Sequence, residues 1–281
     1  MQQLDLLQPQ VEKIARQAGQ AILELYQSGC YQSEIKADDT PVTSADYAAH
    51  QIIMQQLQQL TPEYPVLSEE QADIHLQERQ QWQRYWLVDP MDGTQEFVSG
   101  TGDFSTMIAL IDQGEPVLGL VYAPVSDVCY FAIKGQGAYK RQGMASAQPI
   151  SCTHYQRAPD LISIAVSRVQ KEQKLRRILN PDFNYSLIPL GSASLKSCLV
   201  AEGQADCYIR LGPTGEWDIG APQVILREAG GVLLDLNLQP MSFNRHESLL
   251  NPDFIGIGDQ SLPWADIIAK IPQNDRIRSR F

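Results

Sequence analysis

The chain is expected to fold as an α+β protein, with an antiparallel sheet in its first half and an α/β arrangement in its second. Three observations lead there. Residues 104–140 hold apolar, β-branched runs (FSTMIALI, PVLGLVYAP, VCYFAIKGQGAYK) separated by the turn-like DQGE and APVSD, the pattern of adjacent strands joined by tight connections. Beyond about residue 160, strand-like and helix-like segments alternate, which indicates an α/β unit. Between the two, QGMASAQPISCTHYQRAPD is polar and turn-rich. The chain therefore divides at about residue 150, into an N-terminal α+β domain (1–150) and a C-terminal α/β domain (151–281).

In order along the chain, Val11, Ile14, Ala15, Ala18, Ile22 and Leu25 recur at helical spacing, predicting an amphipathic helix over 9–27. A second helix starts within TSADYAAHQIIMQQLQQL. There Thr43 is followed three residues later by Asp46, an acidic variant of the capping box, and Ala49, Ile52, Ile53, Leu57 and Leu60 form the apolar stripe. It ends before Pro62. After PVLSEE and a polar stretch, YWLV reads as a buried strand, and the runs after 104 as adjacent antiparallel strands of one sheet. In the second half LISIAVS, YSLIPL, CYIRL, VLLDL and FIGIG read as strands. KEQKLRRIL, SASLKSCLVAEG, WDIGAPQVILREAGG and WADIIAKI read as helices, the third closed by Gly230 in the left-handed cap position.

With 281 residues, 43% apolar and 20% charged, the composition is that of a globular protein with a real core. The start, MQQLDLLQPQ, has neither the basic residues nor the apolar segment of a secretory signal. No apolar stretch is long enough to span a bilayer, so neither a membrane nor export is expected, and the cytoplasm is the expected location. Five cysteines, scattered and without CxxC spacing, fit reduced thiols better than a disulfide frame or a zinc site. A formal charge of −11 repels nucleic acid polymers. A small phosphorylated substrate is compatible with that charge only if cations mediate.

The chemistry-bearing residues are acids at the ends of predicted elements: Asp46, Glu69, Glu70, Asp89, Asp92 and Asp218. Taken singly, each is also an ordinary solvated turn residue, and Asp218 an ordinary N-terminal cap. If the strand before Glu69 neighbours YWLV, several carboxylates meet at one sheet edge. Two like charges about 4 Å apart repel by roughly 4 kcal/mol at an effective dielectric near 20, so they stay ionised together only around multivalent cations. An all-oxygen set favours Mg²⁺, Mn²⁺ or Ca²⁺ over zinc. In WLVDPMDGTQEF, Pro90 holds Asp89 extended. The turn can then aim Asp89, the Met91 carbonyl and Asp92 at one point. The N–H groups of Gly93 and Thr94 offer a seat for a phosphate oxygen if a helix begins there. Metal carboxylates beside a phosphate seat are the parts of two-metal hydrolysis.

LVDPMDGTQEF, with SEE upstream and GEWDIGAPQVILREAGG downstream, resembles the inositol monophosphatase superfamily of Mg²⁺-dependent, lithium-sensitive phosphatases. Within it the chain looks most like the bacterial CysQ-type 3'(2'),5'-bisphosphate nucleotidases, through DDTPVTSADYAAH, PVLSEE, QWQRYWLVDPMDGT, GLVYAPV, SLKSCLVAEGQAD and ESLLNPDF. The likeness runs from about residue 38 to 258. It implies a layered αβαβα sugar-phosphatase fold. It implies removal of the 3'-phosphate of adenosine 3',5'-bisphosphate (PAP) to give AMP, with action on its phosphosulfate analogue (PAPS) in view and a place in sulfur assimilation. The alternative is an inositol monophosphatase or broad sugar phosphatase acting also on fructose 1,6-bisphosphate; more remote is a non-catalytic metal- or phosphate-binding regulator.

Carried onto these positions, the resemblance implies that Glu69, Asp89 and the Met91 carbonyl bind one metal, and that Asp89, Asp92 and Asp218 bind the second. Asp46 and Thr94 would orient or deprotonate the attacking water. Glu70 would support a further, weaker ion or its water. The cofactor would be two or three Mg²⁺ ions, with Mn²⁺ as a substitute. Ser192, Ser194 and Lys196, at the front of a predicted helix, would take the phosphate that is not cleaved, with Arg210 on the same wall. The bland alternative for Lys196 and Arg210 is an ordinary surface cation. Met91, Asp92, Gly93, Thr94 and Asp218 would also line the substrate. Gln95 stands where the subfamily has Lys, and SRVQ (167–170) where it has SRSH; both weigh on substrate choice and neither touches the metal core. A homodimer is compatible with the resemblance and is not fixed by the sequence.

Overall fold

The computed structural model describes residues 2–35, 41–157 and 159–268. The first three residues of DDTPVTSADYAAH and the end of the helix expected in WADIIAKI lie outside the described residues.

The first part of the chain comprises α1 (Gln2–Ser28), β1 (Ser33–Ile35), β2 (Pro41–Thr43), α2 (Ser44–Leu60), β3 (Val66–Ser68), α3 (Leu76–Arg79), β4 (Arg84–Asp92) and α4 (Thr94–Val98). The meander β5 (Ser105–Asp112), β6 (Glu115–Ala123), β7 (Val128–Ile133), β8 (Ala138–Gln142) and β9 (Gln148–Ile150) follows. The remainder is β10 (Ile162–Ser167), α5 (Glu172–Arg176), β11 (Tyr185–Leu190), α6 (Ala193–Ala201), β12 (Cys207–Arg210), α7 (Trp217–Glu228), β13 (Val232–Asp235), β14 (Phe254–Ile257) and α8 (Trp264–Ile267).

Strands β3 to β9 form a seven-stranded sheet in sequence order, parallel only between β3 and β4. A five-stranded sheet has the order β11-β10-β12-β14-β13; β10 runs parallel to β11 and β12, and β14 antiparallel to β12 and β13. Along β4 the side chains alternate, as a pleated strand requires. Trp86 and Val88 join Ile14, Ile22, Ile53 and Leu57 of α1 and α2, whereas Tyr85 and Leu87 face Ile219 and Ile225 of α7. That second cluster continues through α6 and α7 onto Ala165, Tyr208 and Phe254 of the smaller sheet. The far face of the smaller sheet packs Ile164, Ile209 and Ile257 against Leu175, Trp264 and Ile267. The layers are therefore α, β, α, β, α.

The antiparallel run, the neighbouring of β3 and β4, and the α/β second half agree with the sequence reading. The capping box is also present, with Thr43 N–H donating to Asp46 Oδ2 at 2.7 Å. Three elements differ. The first helix extends N-terminally past Pro9 because Leu4 and Leu7 still reach the core beneath α1. VCYFAIKGQGAYK is two strands, broken where Gly135 and Gly137 turn with φ of 78° and 83°. The polar stretch after residue 142 contributes β9, an edge strand whose exposed residues carry no apolar alternation. No helix among the described residues is long and apolar enough to cross a membrane.

Candidate active site

The site forms where the parallel pair β3 and β4 ends. Ser68 lies opposite Val88, and Glu69 N–H still donates to Val88 O at 3.1 Å. Glu69 and Glu70, just past the end of β3, therefore lie beside Asp89 of β4. Beyond Asp89 the pairing with β5 slips by one residue: Asp89 faces Met107 while Asp92 faces Ser105. Pro90 sits in this bulge, where it has no N–H to offer the ladder, and its carbonyl accepts from Thr106 Oγ1 at 3.0 Å. Asp89 Oδ1 accepts the Met91 N–H at 2.9 Å, which ties the turn to its own acid. Gly93 then adopts φ 99°, and a Cβ there would stand 2.8 Å from Asp103 O, so this position is closed to any other residue. Thr94 begins α4.

Asp218 arrives from the middle layer. Helix α7 lies so close to the larger sheet that a Cβ on Gly119 of β6 would fall 2.3 Å from Val224 Cγ1 and 2.7 Å from Ala221 O. At the helix start Asp218 Oδ2 accepts the Gly215 N–H at 2.6 Å. Asp218 is thus not the N-cap, which is Glu216, but a first-turn acid that binds back to the residue before the cap while its carboxylate also joins the acid cluster. Asp89, Asp92 and Asp218 each present a carboxylate oxygen within 4.8 Å of the others. Neither Glu69 nor Glu70 belongs to this group of three; both are half-buried beside it.

At such separations each ionised pair costs roughly 3–4 kcal/mol at an effective dielectric near 20. Burial pushes the Asp89 carboxyl well above the ordinary range, and Glu69 and then Asp92 push it further. Asp218 is raised by burial, then by Asp92 and Glu69. Among the described residues the hydrogen bond to Asp89 falls on Oδ1 and that to Asp218 on Oδ2. The donors are all oxygen. Crowded all-oxygen carboxylates, Asp89 and Asp92 buried and Asp218 partly so, with one oxygen left over on each of Asp89 and Asp218, fit a hard divalent cation.

Asp46 is buried at the start of α2. Its Oδ2 accepts the Thr43 N–H and hydroxyl at 2.7 and 2.8 Å, leaving Oδ1 to accept the Thr94 hydroxyl at 3.0 Å. The Met91 carbonyl lies 3.3 Å from the same hydroxyl. Burial raises Asp46 above the ordinary carboxylate range, against the lowering effect of the Thr43 hydrogen bonds.

The residues expected to take a second phosphate sit differently. Asp92 occupies the front of α6: Oδ1 accepts Ala193 N–H at 3.0 Å, and Oδ2 accepts Ser194 N–H at 2.8 Å and the Ser192 hydroxyl at 2.5 Å. The Ser194 hydroxyl is 2.7 Å from that of Ser105. Lys196 is 2% exposed, and its ammonium donates to the carbonyls of Leu190, Gly191 and Ser192; burial lowers its pKa to about 8. The front of α6, expected to take the uncleaved phosphate, is instead filled by the Asp92 carboxylate, which the free N–H groups of a first turn attract. Arg210 is partly exposed, donates to Pro213 O at 3.1 Å, and its charge lowers the pKa of Asp218 against the raising effect of burial.

Three participants escaped the sequence reading: Ser105, opposite Asp92 in the ladder; Glu216, two residues before Asp218; and Asn244. Glu216 is 4% exposed, and both its oxygens accept the Asn244 N–H. Burial raises it to about 7. Ser105 stood inside an apolar run and Asn244 in a polar loop, and neither carries a pattern. Only Glu216 had a signal, as the first acid of EWD.

A sequence profile described as the inositol monophosphatase family matches residues 3–269. A protein of Aggregatibacter actinomycetemcomitans named 3'(2'),5'-bisphosphate nucleotidase CysQ is 44% identical over 263 residues, covering 93% of this chain and 96% of its own. The protein of that name from Escherichia coli K12 is 43% identical, covering 87% of this chain and 97% of its own. Among solved structures, CysQ from Bacteroides thetaiotaomicron, described as a bacterial member of the inositol monophosphatase family, superposes with a TM-score of 0.74. It is 36% identical, covering 87% of this chain and 94% of that one.

Proposed function

The chain belongs to the inositol monophosphatase family, and from that premise we propose that it is a Mg²⁺-dependent 3'(2'),5'-bisphosphate nucleotidase, removing the 3'-phosphate of PAP to give AMP and phosphate. The observation that carries the chemistry is the meeting of Asp89, Asp92 and Asp218 within 4.8 Å. The identity to nucleotidases over most of both chains carries the substrate.

Asp89, Asp92 and Asp218 would hold the cation, joined by Glu69 and the Met91 carbonyl at a neighbouring position and by Glu70 for a third, weaker ion. Mg²⁺ when bound, or Mn²⁺ in its place, makes water more acidic and neutralises charge on a transferring phosphoryl group. The chain supplies the rest. Thr94 has one proton, directed to Asp46 Oδ1, so its oxygen lone pairs are free to accept from water. As water attacks, its proton passes to Thr94 Oγ1 while the Thr94 proton passes to Asp46, whose raised pKa makes it the better base. The Gly93 and Thr94 N–H groups at the start of α4 would hold the phosphate oxygens. Arg210 would face the remainder of the substrate, and PAPS would enter the same pocket. The second half of the chain supplies this wall, the first half the acids of β3 and β4. A cytoplasmic location suits the substrate.

The test is side-by-side kinetics on PAP, PAPS, inositol 1-phosphate and fructose 1,6-bisphosphate at low millimolar Mg²⁺. The highest kcat/KM is expected on PAP; a preference for inositol 1-phosphate would assign the chain to the broader monophosphatases. Gln95, exposed on α4 where the subfamily has Lys, and Gln170 in SRVQ are the two positions that favour that second reading.

A further inference from the structure

The three converging acids repel one another, so something other than a cation must hold them in place before one binds. On the side of β4 that is the Asp92 cap on α6. For Asp218 the helix body is held by its tight seat on Gly119 of β6 and by the close approach of its own Gly220 to Leu87 and Ala109, while the residues just before the helix are held by other partners.

The entry to α7 is gripped by a buried polar network. Arg79, 1% exposed, lies in the segment that joins the end of β3 to β4. Its Nε donates to Ile74 O at 2.7 Å, and its Nη2 to Glu247 O at 2.9 Å and His246 O at 3.3 Å. Its Nη1 donates to Asn244 Oδ1 at 2.6 Å, while Asn244 Nδ2 donates back to Arg79 O at 2.6 Å. Asn244, at φ 55°, points its backbone N–H at both Glu216 oxygens, 3.0 and 2.9 Å away. Glu216 N–H in turn donates to Leu249 O at 2.9 Å. Just upstream, Asn251 Nδ2 donates to Gly215 O at 2.5 Å, and Gly215 is the residue whose N–H Asp218 accepts. The network thus spans from the segment between the two acid-bearing strand ends to the turn that carries the third acid.

We propose that Arg79, Asn244 and Glu216 are positioning residues, which fix the first turn of α7 so that Asp218 meets Asp89 and Asp92 in a preformed cation site. The inference rests on the nucleotidase reading for the identity of the ion. Groups that orient metal ligands without binding the metal commonly change metal affinity about 10- to 100-fold when altered, and here they act through the backbone of the turn that carries Asp218.

The experiment is calorimetric titration of Mg²⁺ and Mn²⁺ into the full chain, with melting temperature and nucleotide KM recorded on the same samples. Three variants are compared with the unmodified chain. Glu216→Gln removes one charge and keeps the shape. Asn244→Gly keeps the left-handed backbone and its N–H but removes the tie to Arg79. Leu175→Ala, under the far sheet, is a control for lost stability alone. Expected is a weakening of divalent affinity by about tenfold or more in the first two, with KM unchanged at saturating Mg²⁺ and Leu175→Ala binding as the unmodified chain does. Glu216→Gln and Asn244→Gly that melt lower yet bind Mg²⁺ normally would overturn the proposal. If Asn244→Gly does not fold, Glu216→Gln decides by itself. An unmodified chain with no divalent affinity would sink both the nucleotidase reading and this one; normal binding that the variants leave intact sinks this one alone.

Discussion

Asp92 and Asp218 look alike in the sequence, two acids beside hydrophobic residues, yet the structure loads them differently. Both oxygens of Asp92 accept backbone N–H groups of α6. In Asp92→Asn the amide must point its own N–H at one of them, a donor against a donor. We expect this variant to lose stability by about 1–3 kcal/mol and to lose turnover by at least about a hundredfold. Asp218 uses only Oδ2, for Gly215 N–H, and the carbonyl of an asparagine can replace that bond. Asp218→Asn should lose turnover to a similar extent while the metal-free chain melts higher at pH 7, since one of three repelling charges is gone. Denaturant midpoints and initial rates on both variants check the pair; a metal-free Asp218→Asn less stable than the unmodified chain would mean that the carboxylates do not strain the fold. The residue types of this cluster were legible because DPMDGT and EWD carry the acids in fixed order. The role of Asp92 as an α6 cap was not legible, because its partners lie about 100 residues further along the chain.

At the scale of elements, segments with a strong apolar signal could be read directly: α1 and α2 bury one face against the larger sheet, and β4, β5 and β6 are buried on both faces. The contacts between elements were less visible, since they depend on small residues whose meaning appears only in three dimensions. Gly119 is one. In the sequence it interrupts the apolar run PVLGLVYAP; in the fold it is the seat of α7, with room for no side chain below Val224 and Ala221. Gly119→Ala should push α7 off the sheet and destabilise the chain by about 1–3 kcal/mol, the usual range for overpacking. Because α7 carries Asp218, half-maximal activity should also require more Mg²⁺. Adding Val224→Ala relieves the 2.3 Å contact but not the 2.7 Å approach to Ala221 O, so recovery should be partial. Urea unfolding and a Mg²⁺ activation curve for the single and double variants measure both effects; an unshifted activation curve in Gly119→Ala would show that the seat does not control the site.

Across the whole molecule, the five layers bring acids from β3, β4, α2 and α7 into one buried edge, and the fold carries that unfavourable charge as part of its own stability. The sign follows from the pKa directions. Asp89 and Asp218 are raised in the folded chain, so the native state binds protons more tightly than the unfolded one. Their contribution to stability is fully present below the ordinary carboxylate pKa and is lost as pH rises through the folded values. The metal-free chain should therefore lose stability with rising pH over the range in which these two carboxyls ionise. A divalent cation reverses this. It binds the folded form, adding about 2.7 kcal/mol at a hundredfold excess over its dissociation constant, and it competes with protons for the same oxygens. The rise in melting temperature on adding Mg²⁺ should thus be larger at pH 8 than at pH 5.5. It should shrink when Asp218 is replaced by Asn. Thermal melts of the EDTA-treated chain with and without Mg²⁺ at the two pH values test this. A Mg²⁺ effect equal at both would mean that protons and metal do not share the Asp89–Asp92–Asp218 oxygens, and the convergence of acids would then be a structural accident rather than a binding site.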